Sequence, residues 1–128
     1  MAVVDDFKLD PSGFSFEEAK MTSVTLTDEG GIINITGKQA DYGTIYLTYH
    51  LVSNRWHEAQ GNFTGKALAI GADGARNSAE LRGVWSRKSR VTTLYSLDDV
   101  SDGNLYAVVV KIDMDTETAK IEFTGIQR

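Results

Sequence analysis

With 128 residues the chain has the length of one ordinary domain, long enough to bury a core without covalent staples. It contains no cysteine, which excludes disulfides, thiolate zinc sites, iron–sulfur ligation and cysteine nucleophiles. A formal charge of −5 disfavours phosphate backbones over the surface as a whole, and no segment approaches the ~20 apolar residues that cross a bilayer as a helix.

The start, MAVVDDFKLDPSG, lacks a basic stretch followed by an apolar run, so the expectation is a cytoplasmic protein without membrane contact, unless a leader has been removed. Residues 1–19 read as an N-terminal segment that packs on the domain or at a subunit contact. Within it, Ser15 and Glu18 could cap one helical turn, or the stretch could extend the first strand; both stay open.

From Lys20 onward apolar and polar residues alternate with period two, broken at short intervals by Gly, Asp and Asn. The spacing predicts eight strands, at 20–27, 31–36, 43–52, 61–70, 76–86, 90–97, 104–114 and 119–126. The connectors at 28–31, 72–75, 87–89 and 115–118 have turn chemistry, and the lone proline, Pro11, precedes every strand. Such short connectors leave no room for crossover helices, so neighbours should pair antiparallel in sequence order. Eight twisted strands in a meander lose their exposed edges most simply by closing into a barrel, with a sandwich as the alternative.

Three strands have a dry and a wet face. Ile45, Leu47, Tyr49 and Leu51 should point inward, as should Ala79, Leu81, Gly83 and Trp85, and Ala119, Ile121 and Phe123. The strand at 104–114 differs: Tyr106, Val108, Val110, Ile112 and Met114 form one apolar face, and Leu105, Ala107 and Val109 most of the other. Its outer face calls for cover, either from the N-terminal segment with Phe7, Phe14 and Phe16, or from a homo-oligomer contact through this strand.

Ser96-Leu-Asp-Asp-Val-Ser-Asp-Gly-Asn104 is the densest polar stretch. The spacing of Asp98, Asp99 and Asp102 does not fit a calcium loop. Asp98 to Gly103 reads as the turn between the sixth and seventh strands, with Ser101 and Asp102 bonding their own backbone and Gly103 at positive φ; the alternative is a ligand-facing loop at a barrel rim. His50 and His57 lack a third convergent group, so no metal site is expected. His50 reads as a solvent-facing strand residue; if its face lined a cavity, Tyr46 and His50 would be an acid–base pair. Glu80 and Arg82 read as surface charges. Arg82, Arg87, Lys88 and Arg90 surround Trp85, but Arg87 and Lys88 fall in a hairpin turn and Trp85 has interior parity, so nucleic acid is not expected as a partner. Asn34-Ile-Thr36 and Asn62-Phe-Thr64 match the glycosylation acceptor but fall inside strands, and no phosphate loop or nucleophile elbow is present.

Gly37-Lys-Gln-Ala-Asp-Tyr-Gly43 leading into Thr44-Ile-Tyr-Leu-Thr-Tyr49, then Gly61-Asn-Phe-Thr-Gly65 and Leu81-Arg-Gly-Val-Trp85, resembles small barrels of the allene oxide cyclase and dirigent type and their uncharacterised bacterial relatives. The resemblance spans roughly residues 20–125. It implies an eight-stranded barrel with a mostly apolar cavity, oligomerisation through outer barrel surface, and no metal or organic cofactor. No position matches the cyclases' catalytic residues, so the likeness carries the fold and leaves enzymatic activity undecided.

The expected function is to hold a small apolar or amphipathic molecule inside the barrel, lined by Leu47, Tyr49, Leu81, Trp85, Tyr95 and Phe123, with 98–104 at one rim. A cofactor-free isomerase or cyclase of the allene oxide cyclase type, and a purely structural oligomer, are the alternatives. A buried polar group with a perturbed pKa among the aromatics would favour the isomerase.

Overall fold

The computed structural model describes residues 2–127. A short helix, α1 (Ala2–Asp6), and a two-residue strand, β1 (Phe14–Ser15), precede eight long strands. These are β2 (Glu18–Leu26), β3 (Gly30–Gln39), β4 (Gly43–Asn54), β5 (His57–Ile70), β6 (Arg76–Lys88), β7 (Val91–Val100), β8 (Leu105–Asp113) and β9 (Thr118–Gly125). All eight predicted strands are present, and every neighbouring pair is antiparallel in sequence order. Ser15 and Glu18 cap no helix: Phe14 and Ser15 extend the sheet by pairing with Phe123 and Glu122.

β9 pairs with β8 on one side and with β1 and β2 on the other, so the meander closes into a barrel. The closing seam is thin. It consists of the β1 pairs, the bridge Lys20↔Thr118, and two amide bonds, Phe16 to the Ile121 carbonyl (3.0 Å) and Met21 to the Glu117 carbonyl (2.8 Å).

Period-two alternation puts one set of each strand inside. The core joins Ile33 and Ile35 with Ile45, Leu47, Tyr49 and Leu51, and reaches through Phe63, Leu81, Trp85 and Leu94 to Val110, Ile112 and Ile121. Several glycines make close approaches that a side chain would obstruct, Gly83 and Gly37 among them. A Cβ on Gly83 would lie 1.8 Å from the Tyr95 carbonyl oxygen and 3.0 Å from the Phe63 ring, and one on Gly37 would lie 2.7 Å from the Phe16 ring.

Two expectations change. Tyr95 does not line the interior: it is 50% exposed, and the inward set of β7 is Thr92, Leu94, Ser96 and Asp98. The reason is register, since Leu94 stands opposite Trp85, and Tyr95 opposite the exposed Val84. Of the N-terminal phenylalanines, Phe14 and Phe16 do not cover the outer face of β8. Phe14 stacks on Phe123 (5.3 Å between centroids) and Phe16 meets the same ring edge-on (5.9 Å), at the barrel mouth. Leu9 and Asp10 continue along the end of β9 through the Leu9↔Ile126 bridge and the Asp10 amide bond to the Gly125 carbonyl. The outer face of β8 is half-buried, and its neighbours Tyr95 and Leu97 on β7 are exposed.

Candidate functional site

Side-chain size falls along the strands toward one end of the barrel. On β5 the inward set runs from Phe63 through Gly65 to Ala67 and Ala69, and on β6 it runs back from Trp85 and Leu81 to Ala79 and Asn77. Ala67 lies directly opposite Ala79, and its other neighbour is Leu47. Three alanines facing a shared space cannot fill it, so the interior opens into a cavity at that end. Its volume, as the space open to the centre of a water molecule, is about 60 Å³. That is well above the roughly 10–15 Å³ that one water needs, so a small organic group fits.

The walls are largely apolar, from Ile45, Leu47, Val108 and Ile121 together with the alanines, and the rim is aromatic, from Phe16, Tyr42, Tyr106 and Phe123. Among the described residues, Asp98 is the one charged residue of the walls. Its place is set by β7: the strand runs through Val100, so Asp98 and Asp99 are strand residues facing inward and outward, and the turn is confined to 101–104. This corrects the reading of 98–103 as turn. Of the chemistry expected of the remainder, Gly103 has φ 94° and Asp102 Oδ1 accepts from the Asn104 amide (2.9 Å), but Ser101 Oγ bonds across to β6 instead of its own backbone, accepting from the Ser78 amide (2.9 Å).

Asp98 Oδ1 accepts from the Ser96 hydroxyl at 2.5 Å. Burial pushes the Asp98 carboxyl up to about 7, and the Ser96 hydrogen bond only partly opposes that. The nearby Tyr49 hydroxyl is buried without a hydrogen-bond partner; burial first, and the Asp98 charge second, raise its pKa well above the usual phenol value.

A second polar cluster spans the mouth. Tyr42, between β3 and β4, donates to Asp102 Oδ2 (2.5 Å), and its oxygen is 2.9 Å from the Tyr106 hydroxyl on β8 and 3.5 Å from Asn104 Nδ2. The β3–β4 loop that carries Tyr42 is fixed by buried Gln39, whose Oε1 accepts from the Asp41 and Tyr42 amides (2.8 and 3.0 Å). Burial, then the Asp102 and Tyr106 contacts, raise the Tyr42 pKa strongly. Burial alone would raise Asp102, but the Tyr42 hydroxyl and Asn104 hold it below the usual carboxylate value.

Of the six residues expected to line a ligand site, Leu47 and Phe123 do line the cavity. Tyr49, Leu81 and Trp85 are interior but not among its walls: Tyr49 packs edge-on against Phe63 (5.4 Å), and Trp85 Nε1 donates to the Val52 carbonyl (3.1 Å). Tyr95 is outside. Asp98 escaped the sequence reading as an interior group, although counting through the turn at Ser89 from the inward set of β6 places it opposite Leu81. His50 and His57 are exposed, and among the described residues no three metal-ligating side chains cluster. Glu80 is at the surface, 3.7 Å from Lys66, as read from the sequence. Among the described residues, no helix is long and apolar enough to cross a membrane. No protein-family model matches the chain, and no curated protein or solved structure matches it either.

Proposed function

We propose that the barrel holds a small amphipathic molecule in the cavity at its Asp98 end, with an apolar body against Leu47 and the alanines and a polar head at the Asp98 carboxyl. One observation carries this reading: the charged residue that the described walls of an apolar cavity contain is a buried carboxyl with more hydrogen-bonding capacity than one serine hydroxyl uses. A head group that donates hydrogen bonds fits best, and a cationic one fits increasingly as pH rises past 7 and the carboxyl ionises.

The test uses 1-butanol, butylammonium and butyrate as probes, followed through amide chemical shifts at pH 8. Butanol and butylammonium should shift Leu97, Asp98 and Tyr106, butyrate should not, and Ala79→Leu, which fills the cavity, should abolish the shifts. No shift from any probe at tens of millimolar, or shifts unchanged in Ala79→Leu, would refute the reading.

A second reading is supported by the same carboxyl. A group titrating near 7 in an apolar setting is suited to general acid–base work, as a cofactor-free isomerase or cyclase requires. It predicts an Asp98→Asn variant that still binds the neutral substrate but does not turn it over; equal turnover would exclude it.

A further inference from the structure

Beyond Met21, β2 loses its outer neighbour. Lys20 is the last residue of β2 bridged to β9, and the Met21 amide bonds the Glu117 carbonyl just where β9 begins. From Thr22 to Glu29 every residue is exposed, and among the described residues β2 pairs there with β3 alone. Val24 and Leu26 have inward parity, yet they are 41% and 85% exposed because this hairpin projects past the seam.

The free backbone groups of this edge can be assigned. Thr27 and Gly30 exchange both amide bonds across the hairpin turn (3.3 Å each), and the same register continues to Thr25↔Ile32. Bonded and non-bonded pairs alternate along an antiparallel ladder. Thr25 and Thr27 therefore direct their N–H and C=O groups to β3, and those of Val24 and Leu26 point to the open side. The run Thr22-Ser-Val-Thr-Leu-Thr27 has no charge and no proline, the usual means of blunting an edge; its one such device is the bulge between Met21 and Ser23.

We propose that this edge pairs with the same edge of a second copy of the chain, antiparallel, about a twofold axis at Thr25. In that register Val24 faces Leu26 of the second copy and the two exchange N–H···O bonds, and the axis repeats the exchange on its other side. Thr25 meets Thr25 and Ser23 meets Thr27, so apolar side chains meet on one face and hydroxyls on the other. The sequence is self-complementary only there. An axis at Val24 sets Leu26 against Thr22, and one at Leu26 sets Val24 against Asp28. The length fits as well, because the second copy's hairpin turns away at Asp28, where β9 occupies the edge. Asp28 and Glu29 of one copy then approach Glu117 of the other, so added salt should strengthen the association. So short an edge makes a transient dimer, below the size of permanent interfaces.

Sedimentation velocity from about 10 µM to about 1 mM, with amide exchange at both extremes, tests this. The expected result is a dimer that grows with concentration and with salt, in which the Val24 and Leu26 amides exchange about tenfold more slowly at the high end. Leu26→Pro removes an outward donor without touching the β3 ladder and should leave a folded monomer. Leu26→Lys should do the same by charge if the proline disturbs folding. A monomer throughout, or a dimer indifferent to both variants, would overturn the proposal; loss of that dimer in Tyr95→Glu would move the contact to the outer face of β7 and β8.

Discussion

At the end of the barrel where β6 finishes, Trp85, Phe63, Leu81 and Leu94 fill the interior; at the end where β7 finishes, three alanines leave it open and a carboxyl enters it. The same alternation builds both ends, and only side-chain size and one charge distinguish them. The filled end supplies stability through burial at about 25 cal/mol per Å² of apolar surface. The open end gives up part of that gain and adds the cost of burying Asp98. A strand pattern thus sets the wall, and the choice of residue within the inward set decides whether the wall encloses a core or a site.

The sharpest way to break the contrast is Phe63→Ala, which empties the filled end. It should cost about 3–5 kcal/mol in urea unfolding, because the ring is packed against Tyr49 and Gly83 and little can collapse into its place. A loss below about 1 kcal/mol would mean that the two ends are packed alike.

Asp98→Asn probes the open end through pH. The folded carboxyl titrates near 7 against 3.8 for the ordinary group, so the folded state binds this proton more tightly than the unfolded chain. Stability associated with this group is therefore fully present below about pH 4 and is lost as pH rises to about 7, on the order of 4 kcal/mol in all. Asn cannot ionise. The variant should match the parent near pH 4 and exceed it at pH 8; a variant less stable at both values would contradict the buried-charge account.

The smallest effect is expected at the rim. Tyr42→Phe removes the bonds to Asp102 and Tyr106 and should cost about 1 kcal/mol, while letting probes into the cavity faster. Unchanged entry rates by exchange spectroscopy would show that the Tyr42–Tyr106 contact does not restrict the mouth.

The eight strands were legible because nearly all of them end in Gly, Asp or Asn chemistry, the turn at Ser89 being the exception, and because alternation survives in nearly all of them. β7 was misread at Tyr95 for a physical reason. Its inward set, Thr92, Leu94, Ser96 and Asp98, is less apolar than its outward set, Thr93, Tyr95 and Leu97. Local polarity therefore pointed the wrong way, and only the pairing of Leu94 with Trp85 and of Ser96 with Gly83 settles the face. Asp98 was hidden by the same inversion, since a polar stretch before a glycine reads as turn. The cavity itself follows from Ala67, Ala69 and Ala79 meeting across strands, a conjunction that no single segment displays.

The thin seam between β2 and β9 has a consequence for the order of assembly. Apart from the pairings of β1, β2 and Leu9 with β9 and its end, every pairing joins strands that follow each other along the chain, through turns of a few residues, and each can form as a local hairpin within microseconds. Lys20 and Thr118 come from opposite ends of the sequence, and their encounter carries a closure entropy that grows with the logarithm of the loop. Most of the rest of the sheet can therefore be in place before the circle shuts, and the same few bonds are the cheapest to break when it opens.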